Sequence, residues 1–453
     1  MYFYLKNVFK KIGVDRAIFF TSASSIFGTL GNVLIVILVI NLFTEIEQGY
    51  YYTFGSILSI QIFFELGFNN VITQFAAHEV GKIDLKSTDS SLNHIKNNSR
   101  LSSLFNLIVR WYAILSVILF ITLLISGIYF FKENSLEFVI LDWEFPWIFL
   151  VFASCLNFLI SPFLAFLTGF GQINIVSRLQ FIQNVIKIFT LFICLLLGFK
   201  LFSIGLSLFA STLFIIIKVY KKYFNFFYFL FKLKKGQSIS YFNEIFPYQW
   251  RIAISWISGY FIFQIFNPVL FATEGPKVAG QMGMTLAGLS GLSSLSLSWI
   301  TTKIPLFSNL IASNKLIELN SVFKKSFFQA LLVNIFLLFI FLIFVYSLKH
   351  FNLKIGAIHV GDRFIDYLPL VFMIFSSFIN QIVNSWAIFL RCFKKEPYLI
   401  NSIVGAFLTL FSTIYFGNLY GLFGITLGYC IISIIGLPWA YFVFIKNKKK
   451  FDL

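Results

Sequence analysis

The chain has 453 residues, 58% of them hydrophobic and only 12% charged, and 35 Lys and Arg against 18 Asp and Glu leave a formal net charge of +17. Soluble proteins carry about 25% charged residues, so a chain this apolar, with a mean hydropathy of +0.86, cannot hide its surface in a water-soluble core and must sit in lipid. The positive excess falls in short gaps between apolar runs, where it meets anionic headgroups, and this excludes nucleic acid as a partner.

Met1 to Arg16 contains no apolar stretch followed by a small-residue cleavage site, so the first apolar run, 17–43, is expected to act as its own signal. Runs of roughly 20 residues cross about 30 Å of hydrocarbon. Eleven more follow the first, at 49–78, 102–131, 146–171, 177–199, 201–220, 246–272, 277–304, 326–348, 365–390, 397–417 and 420–445. The pattern predicts an all-α polytopic membrane protein of about twelve transmembrane helices. The longest gaps are Gly81–Arg100 and Lys221–Glu244. The second divides the runs six and six, which predicts two six-helix lobes around a central cavity: 1–222, an inter-lobe linker at 223–244, and 245–453. A faint internal echo fits a duplication: Phe43-Thr44-Glu45 followed by Gly49 resembles Ala272-Thr273-Glu274 followed by Gly280.

The gaps alternate in charge. Lys6, Lys10, Lys11 and Arg16, then Lys82, Lys86, Lys96 and Arg100, then Arg178, then the lysines from Lys218 to Lys235, then Lys315, Lys324 and Lys325, then Arg391, Lys394 and Lys395, and last Lys446, Lys448, Lys449 and Lys450 lie on one side. The other side holds Lys132, Lys200, Lys277, Lys349, Lys354 and Arg363. By the positive-inside rule the basic side, with both termini, is cytoplasmic. Cys155, Cys194, Cys392 and Cys430 fall in or at the ends of apolar runs and read as small core residues, with no metal site and no cofactor implied.

Polar residues inside the runs are costly unless they face protein or water. Several form stripes at helical spacing: Thr21, Ser25, Thr29 and Asn32; Gln61, Glu65 and Asn69; Gln180, Gln183, Asn184 and Lys187; Arg251, Ser255 and Ser258; Ser377, Gln381, Asn384 and Ser385. Ser, Thr and Asn also serve as hydrogen-bonded glue between helices, so a stripe alone does not make a site. Gly280, Gly283, Gly288 and Gly291, and the pair Gly424 and Gly428, read as close helix contact. Charges weigh more, at about 2.5–3.5 kcal/mol each at mid-membrane. Lys187 and Glu65 are the strongest candidates; Arg110 and Arg251 lie nearer the basic ends of their helices, where snorkelling competes, and Glu65 can also serve in a structural salt bridge. Lys187, Arg110, Arg251 and Lys303 face Glu65 alone, so the interior suits an anion, with arginine matched to phosphate and the amides and hydroxyls to sugar. The candidate substrate-binding set is Arg251, Lys187, Arg110, Glu65, Ser255, Asn69, Gln381 and Asn384.

Glu47-Gln48-Gly49-Tyr50-Tyr51-Tyr52-Thr53-Phe54, Phe63-Phe64-Glu65-Leu66-Gly67-Phe68 with Gln74-Phe75-Ala76-Ala77-His78-Glu79, and Gln249-Trp250-Arg251 through Gly259-Tyr260 resemble Wzx-type O-antigen and polysaccharide flippases. That family belongs to the multidrug, oligosaccharidyl-lipid and polysaccharide exporter superfamily. The resemblance covers most of the chain in topology and is limited in motifs to spans two and seven. It implies transport of an undecaprenyl-pyrophosphate-linked oligosaccharide, an O-antigen or capsular repeat unit for lipopolysaccharide or polysaccharide biosynthesis, across a bacterial inner membrane by alternating access. A glycan polymerase with its assembly machinery, membrane lipids and a coupling ion would be its partners. Two other classes stay open. A cation-coupled small-molecule or drug antiporter of the same superfamily would place an acid before its cargo or coupling ion, and Glu65 is the one candidate. A membrane glycan polymerase or glycosyltransferase would need acids or bases on an outer loop; Asp362, Asp366, His350 and His359 cluster there, although loop solvation explains them, and the gaps 132–145 and 349–365 are short. No Walker A run or HExxH is present, so the chain reads as a transporter rather than an enzyme.

Overall fold

The computed structural model describes residues 16–81, 99–134, 141–233, 240–352, 354–355, 358–393 and 396–450. The basic residues read at Lys6–Lys11, Lys82–Lys96, Lys234, Lys235, Lys394 and Lys395 lie outside these. The described chain is nearly all helix: α1 (Arg16–Leu42), α2 (Glu45–Leu58), α3 (Ile62–Glu65), α4 (Phe68–Gly81), α5 (Ser99–Glu133), α6 (Glu144–Gly169), α7 (Ile173–Leu196), α8 (Phe202–Lys232), α9 (Phe246–Phe263), α10 (Phe266–Glu274), α11 (Pro276–Thr301), α12 (Ile304–Ala312), α13 (Leu316–His350), α14 (Tyr367–Arg391) and α15 (Leu399–Lys450). A two-residue hairpin, β1 (Lys354–Ile355) against β2 (Ile358–His359), decorates the loop between α13 and α14.

Nine described helical stretches are long and apolar enough to cross a membrane, and the protein is a multi-span membrane protein. Twelve helical segments match the twelve runs. The nine become twelve because α1 counts there only through its short apolar part Leu30–Leu42, because the Gly- and Ser-rich α11 is not apolar enough, and because α15 holds two runs, bent where Gly421 takes φ 55°. Two runs read as single helices are broken. The second becomes α2, a 3₁₀ turn at Ser59–Gln61, α3 and α4; the seventh breaks between α9 and α10. Two others outgrow their apolar cores, since α8 runs on to Lys232 and α13 begins at Leu316.

By contact density the chain forms two compact units. The first comprises the described residues up to Ser59 and from Ser258 onward, with Asn134 and Leu141; the second comprises Ile60–Glu133 and Asp142–Ile257. In the first unit the α2 start is set locally by a capping box. The Thr44 hydroxyl accepts from the Glu47 amide at 3.1 Å, and the Glu47 carboxylate accepts from the Thr44 amide at 2.8 Å. Helix α2 then lies backbone to backbone on α11: a Cβ at Gly49 would stand 1.9 Å from the Pro276 carbonyl oxygen, and one at Gly280 would stand 2.8 Å from the Gly49 nitrogen. The two glycines of the internal echo therefore meet. Gly283 and Gly288 are filled against Tyr52 and Phe341, so close packing accounts for them, whereas Gly291 has open space beside it. Gly428 makes the same kind of contact with Ser412 across the bend of α15.

Arg363, from the loop after β2, is locked into this junction and is only 2% exposed. Its guanidinium donates to Gln48 Oε1 at 3.2 Å and to the Phe43 carbonyl, while Gln48 Nε2 donates to the carbonyls of Gly280 (2.8 Å) and Arg363 itself (3.1 Å). Burial pulls the Arg363 pKa below its ordinary value, against Glu45 and Glu47. A pocket of about 330 Å³ opens beside it, edged by Thr44, Glu45, His359 and Asp362.

Candidate functional site

The second unit carries the densest set of predicted residues, and it is built around the broken helix. Helix α3 ends at Glu65, Leu66 and Gly67 take left-handed φ values of 51° and 66°, and α4 begins at Phe68. Glycine is required at 67 on two counts, since a Cβ there would also stand 2.4 Å from the Ile252 side chain of α9. Irregular backbone at membrane depth is tolerated only where protein or a wet cavity covers it, which marks this break as more than a bend.

Asn69 bridges the break. Its Nδ2 donates to Glu65 Oε1 at 2.9 Å and to Ser161 Oγ of α6 at 3.1 Å, and its Oδ1 accepts from the Tyr112 hydroxyl of α5 at 3.1 Å. One turn on, Thr73 Oγ1 donates to the Asn69 and Ala165 carbonyls at 3.0 and 3.1 Å. On the other side of Glu65, Gln61 Oε1 accepts from Ser154 Oγ at 3.0 Å. Asn157, also on α6, accepts from Gln183 Nε2 of α7 at 3.2 Å and from Thr212 Oγ1 of α8 at 3.4 Å. Helix α6 is thus the polar spine that ties the stripes of spans two and five together. Among the described residues no basic side chain lies within ion-pair distance of Glu65, so the structural salt bridge is not formed here.

Lys187 follows Gln183 by one turn. By the 3.6-residue repeat it lies on the arc of α7 that holds Gln180, Gln183 and Asn184 and, further along, the buried Leu191 and Cys194. The exposed apolar residues Phe189, Ile193 and Leu196 occupy the opposite arc. Lys187 is nevertheless exposed, so the packed face of α7 opens at mid-helix and presents an ammonium away from the lipid-facing side. No carboxylate among the described residues pairs with it.

The other candidates are placed differently. Arg251 is exposed, with its guanidinium 5.5 Å from the Trp250 ring, and Ser255, one turn on along α9, is half-buried. Arg110 is exposed on the arc of α5 shared with Ile114, Val117 and Ile121, all apolar and exposed, which is the placement that snorkelling predicts. Gln381 and Asn384 belong to the first unit: Gln381 is 1% exposed, its carbonyl accepts from Ser385 Oγ within α14, and Asn384 is exposed. Span one adds little, because the side chains of Thr21, Ser25 and Thr29 lie outside the description and Asn32 is exposed. Tyr112, Ser154, Asn157 and Ser161 were not among the sequence candidates. The spacing of Ser154, Asn157 and Ser161 in span four is the same kind of signal that marked the other stripes, and could have found them.

No protein-family model and no curated protein matches the sequence. Solved structures do. The lipid II flippase MurJ in an inward closed conformation is similar with a TM-score of 0.60 at 16% identity, over 93% of this chain and 86% of that one. The MATE multidrug transporter DinF-BH gives 0.61 at 12%, over 97% of each. An inward-facing multidrug resistance MATE family transporter of the MOP superfamily gives 0.56 at 15%, over 93% and 99%. The chain has the fold that these solved structures share. The all-α architecture expected from the sequence is that fold, and these neighbours are transporters and a flippase.

Proposed function

We propose that the protein is a flippase that carries an undecaprenyl-pyrophosphate-linked oligosaccharide from the cytoplasmic to the outer leaflet of a bacterial inner membrane. Two six-helix lobes, read from the sequence as 1–222 and 245–453, would alternate access, with both termini cytoplasmic. The observation that carries the reading is Lys187, an exposed mid-span ammonium with no carboxylate partner among the described residues, turned from the lipid-facing arc and preceded along α7 by amides. A bare cation in that position gains most from a mobile anion. The pyrophosphate would meet Lys187 and Arg251, the sugars would exchange hydrogen bonds with Gln180, Gln183 and Asn184, and the polyprenyl tail would stay in the bilayer. A lipid II flippase of the same fold supports a lipid-linked cargo.

Glu65 favours a second reading, a cation-coupled antiporter, because its carboxylate meets only neutral donors among the described residues and the MATE transporters share the fold. One experiment separates the two. A flippase-deficient strain carrying a defined repeat unit is complemented with wild type, Lys187→Ala, Arg251→Ala and Glu65→Gln, scoring surface glycan, lipid-linked intermediates on the cytoplasmic leaflet and drug susceptibility. The flippase reading expects wild type to restore glycan and Lys187→Ala to lose at least tenfold at normal protein level. Altered drug susceptibility with no glycan restored would favour the antiporter.

A further inference from the structure

The second unit holds a charged cluster at its basic end that the transport site does not use. Arg100 Nε lies 3.4 Å from Glu79 Oε1, and Arg100 Nη2 donates to Glu244 Oε2; Glu244 Oε1 accepts in turn from the Ser240 amide at 3.1 Å. Glu79 is 2% exposed, and the exposed His78 stands 3.7 Å from it. Each of the first pair sits at the wrong end of its helix. Arg100 is in the first turn of α5, where the helix dipole is positive, and Glu79 is in the last turn of α4, where it is negative. Neither placement helps its own helix, and both are explained by the pairing across helices.

Glu244 belongs to the segment that leads into α9, a π-helical turn at Tyr241–Ile245. That turn is held by more than charge. Ile245 is fully buried, the Tyr241 ring lies tilted 5.1 Å from Trp111 and edge to face 6.1 Å from Phe68, and its hydroxyl donates to Gln249 at 3.0 Å. Phe68 is the first residue after the left-handed break, and Ile252 one turn beyond Gln249 covers Gly67. The entry to α9 is therefore fastened to α4 and α5 by one guanidinium and one aromatic wedge, while beyond Ile257 the same helix belongs to the other unit.

We propose that Arg100, Glu79 and Glu244 form a releasable clasp. It pins the start of α9 over the helix break while closed and must open in each transport cycle for α9 to move. The side chains of Arg100 and Glu244 both keep contact with water. An ion pair of that kind is weak and exchanges readily with solvent, so the Arg100–Glu244 half can open while Arg100 stays on the buried Glu79; the buried Arg363 junction is built to stay shut.

Two measurements test it. Amide hydrogen exchange over 240–252 in purified protein in lipid nanodiscs should speed up at least tenfold in Glu244→Gln and in Arg100→Gln, with α6 unchanged; equal rates in wild type and both variants would overturn the clasp. The pair Arg100→Cys and Glu244→Cys, joined by a short reducible thiosulfonate linker, should lose glycan export in the complemented strain and regain it on reduction. Export that continues with the linker intact would overturn release. The second arm rests on the flippase reading; were that reading wrong, the wild type itself would export no glycan, and the exchange result would still decide the clasp.

Discussion

The junction of α2 with α11 and the polar face of α3, α4, α6 and α7 both place polar groups at membrane depth or beside it, and they do so in opposite ways. At the junction every named group is shut in: Gly49 and Gly280 touch backbone, and the two terminal nitrogens of Arg363 donate to an amide oxygen and a carbonyl. On the polar face the hydrogen bonds run between partly exposed side chains, all neutral but Glu65, and a second charge, Lys187, has no carboxylate among the described residues. A charge satisfied by fixed backbone is architecture. A charge without a fixed partner is what the proposed site calls for.

Four substitutions break or sharpen that contrast. The largest effect is expected from Gly49→Val, which has nowhere to put its side chain against the Pro276 carbonyl; a loss of about 3 kcal/mol or more should show as failure to accumulate or a collapsed melting temperature in detergent. Arg363→Ala comes next, because it strands Gln48 and the Phe43 carbonyl in a buried site, at about 1–3 kcal/mol for each stranded group in thermal unfolding, with export falling only as protein level falls. Asn69→Ala removes one side chain that three others use, and should cost about 1–3 kcal/mol while lowering export further than the lost protein explains. Lys187→Gln should leave stability within about 0.5 kcal/mol and still reduce export at least tenfold. If Lys187→Gln instead unfolds the protein, or Arg363→Ala spares its stability while abolishing export, the assignment of the two regions is reversed.

The helical pattern was legible because a twenty-residue apolar window is a one-dimensional signal, and a helical segment stands at each of the twelve windows. The breaks were not. Span two carries no proline, and Leu66-Gly67 interrupts it through left-handed backbone that is held by Ile252 from a distant helix, which no local pattern announces. Arg363 was counted only as a loop cation between Asp362 and Asp366, and its burial depends on Gln48, more than three hundred residues away in the chain. The Glu47-Gln48-Gly49 motif was singled out for resemblance alone; in space it is the junction. Of the site, Glu65 with Asn69 and Gln183 near Lys187 were readable as stripes, Arg110 was set apart only by knowing which arc of α5 is apolar, and the α6 spine needed the partners it receives before its three polar residues meant anything.

The bend of α15 has a consequence for how this fold can drift in sequence. Glu274, the last residue of α10, accepts from the Leu422 amide, and its carboxylate occupies the space that a Cβ on Gly421 would need. Any side chain gained at 421 evicts the acid, and any loss of the acid leaves that amide uncapped. Divergent relatives should therefore keep or exchange the two positions as a pair, giving a coupled signature that would outlast overall identity and could identify kin that whole-chain similarity no longer finds.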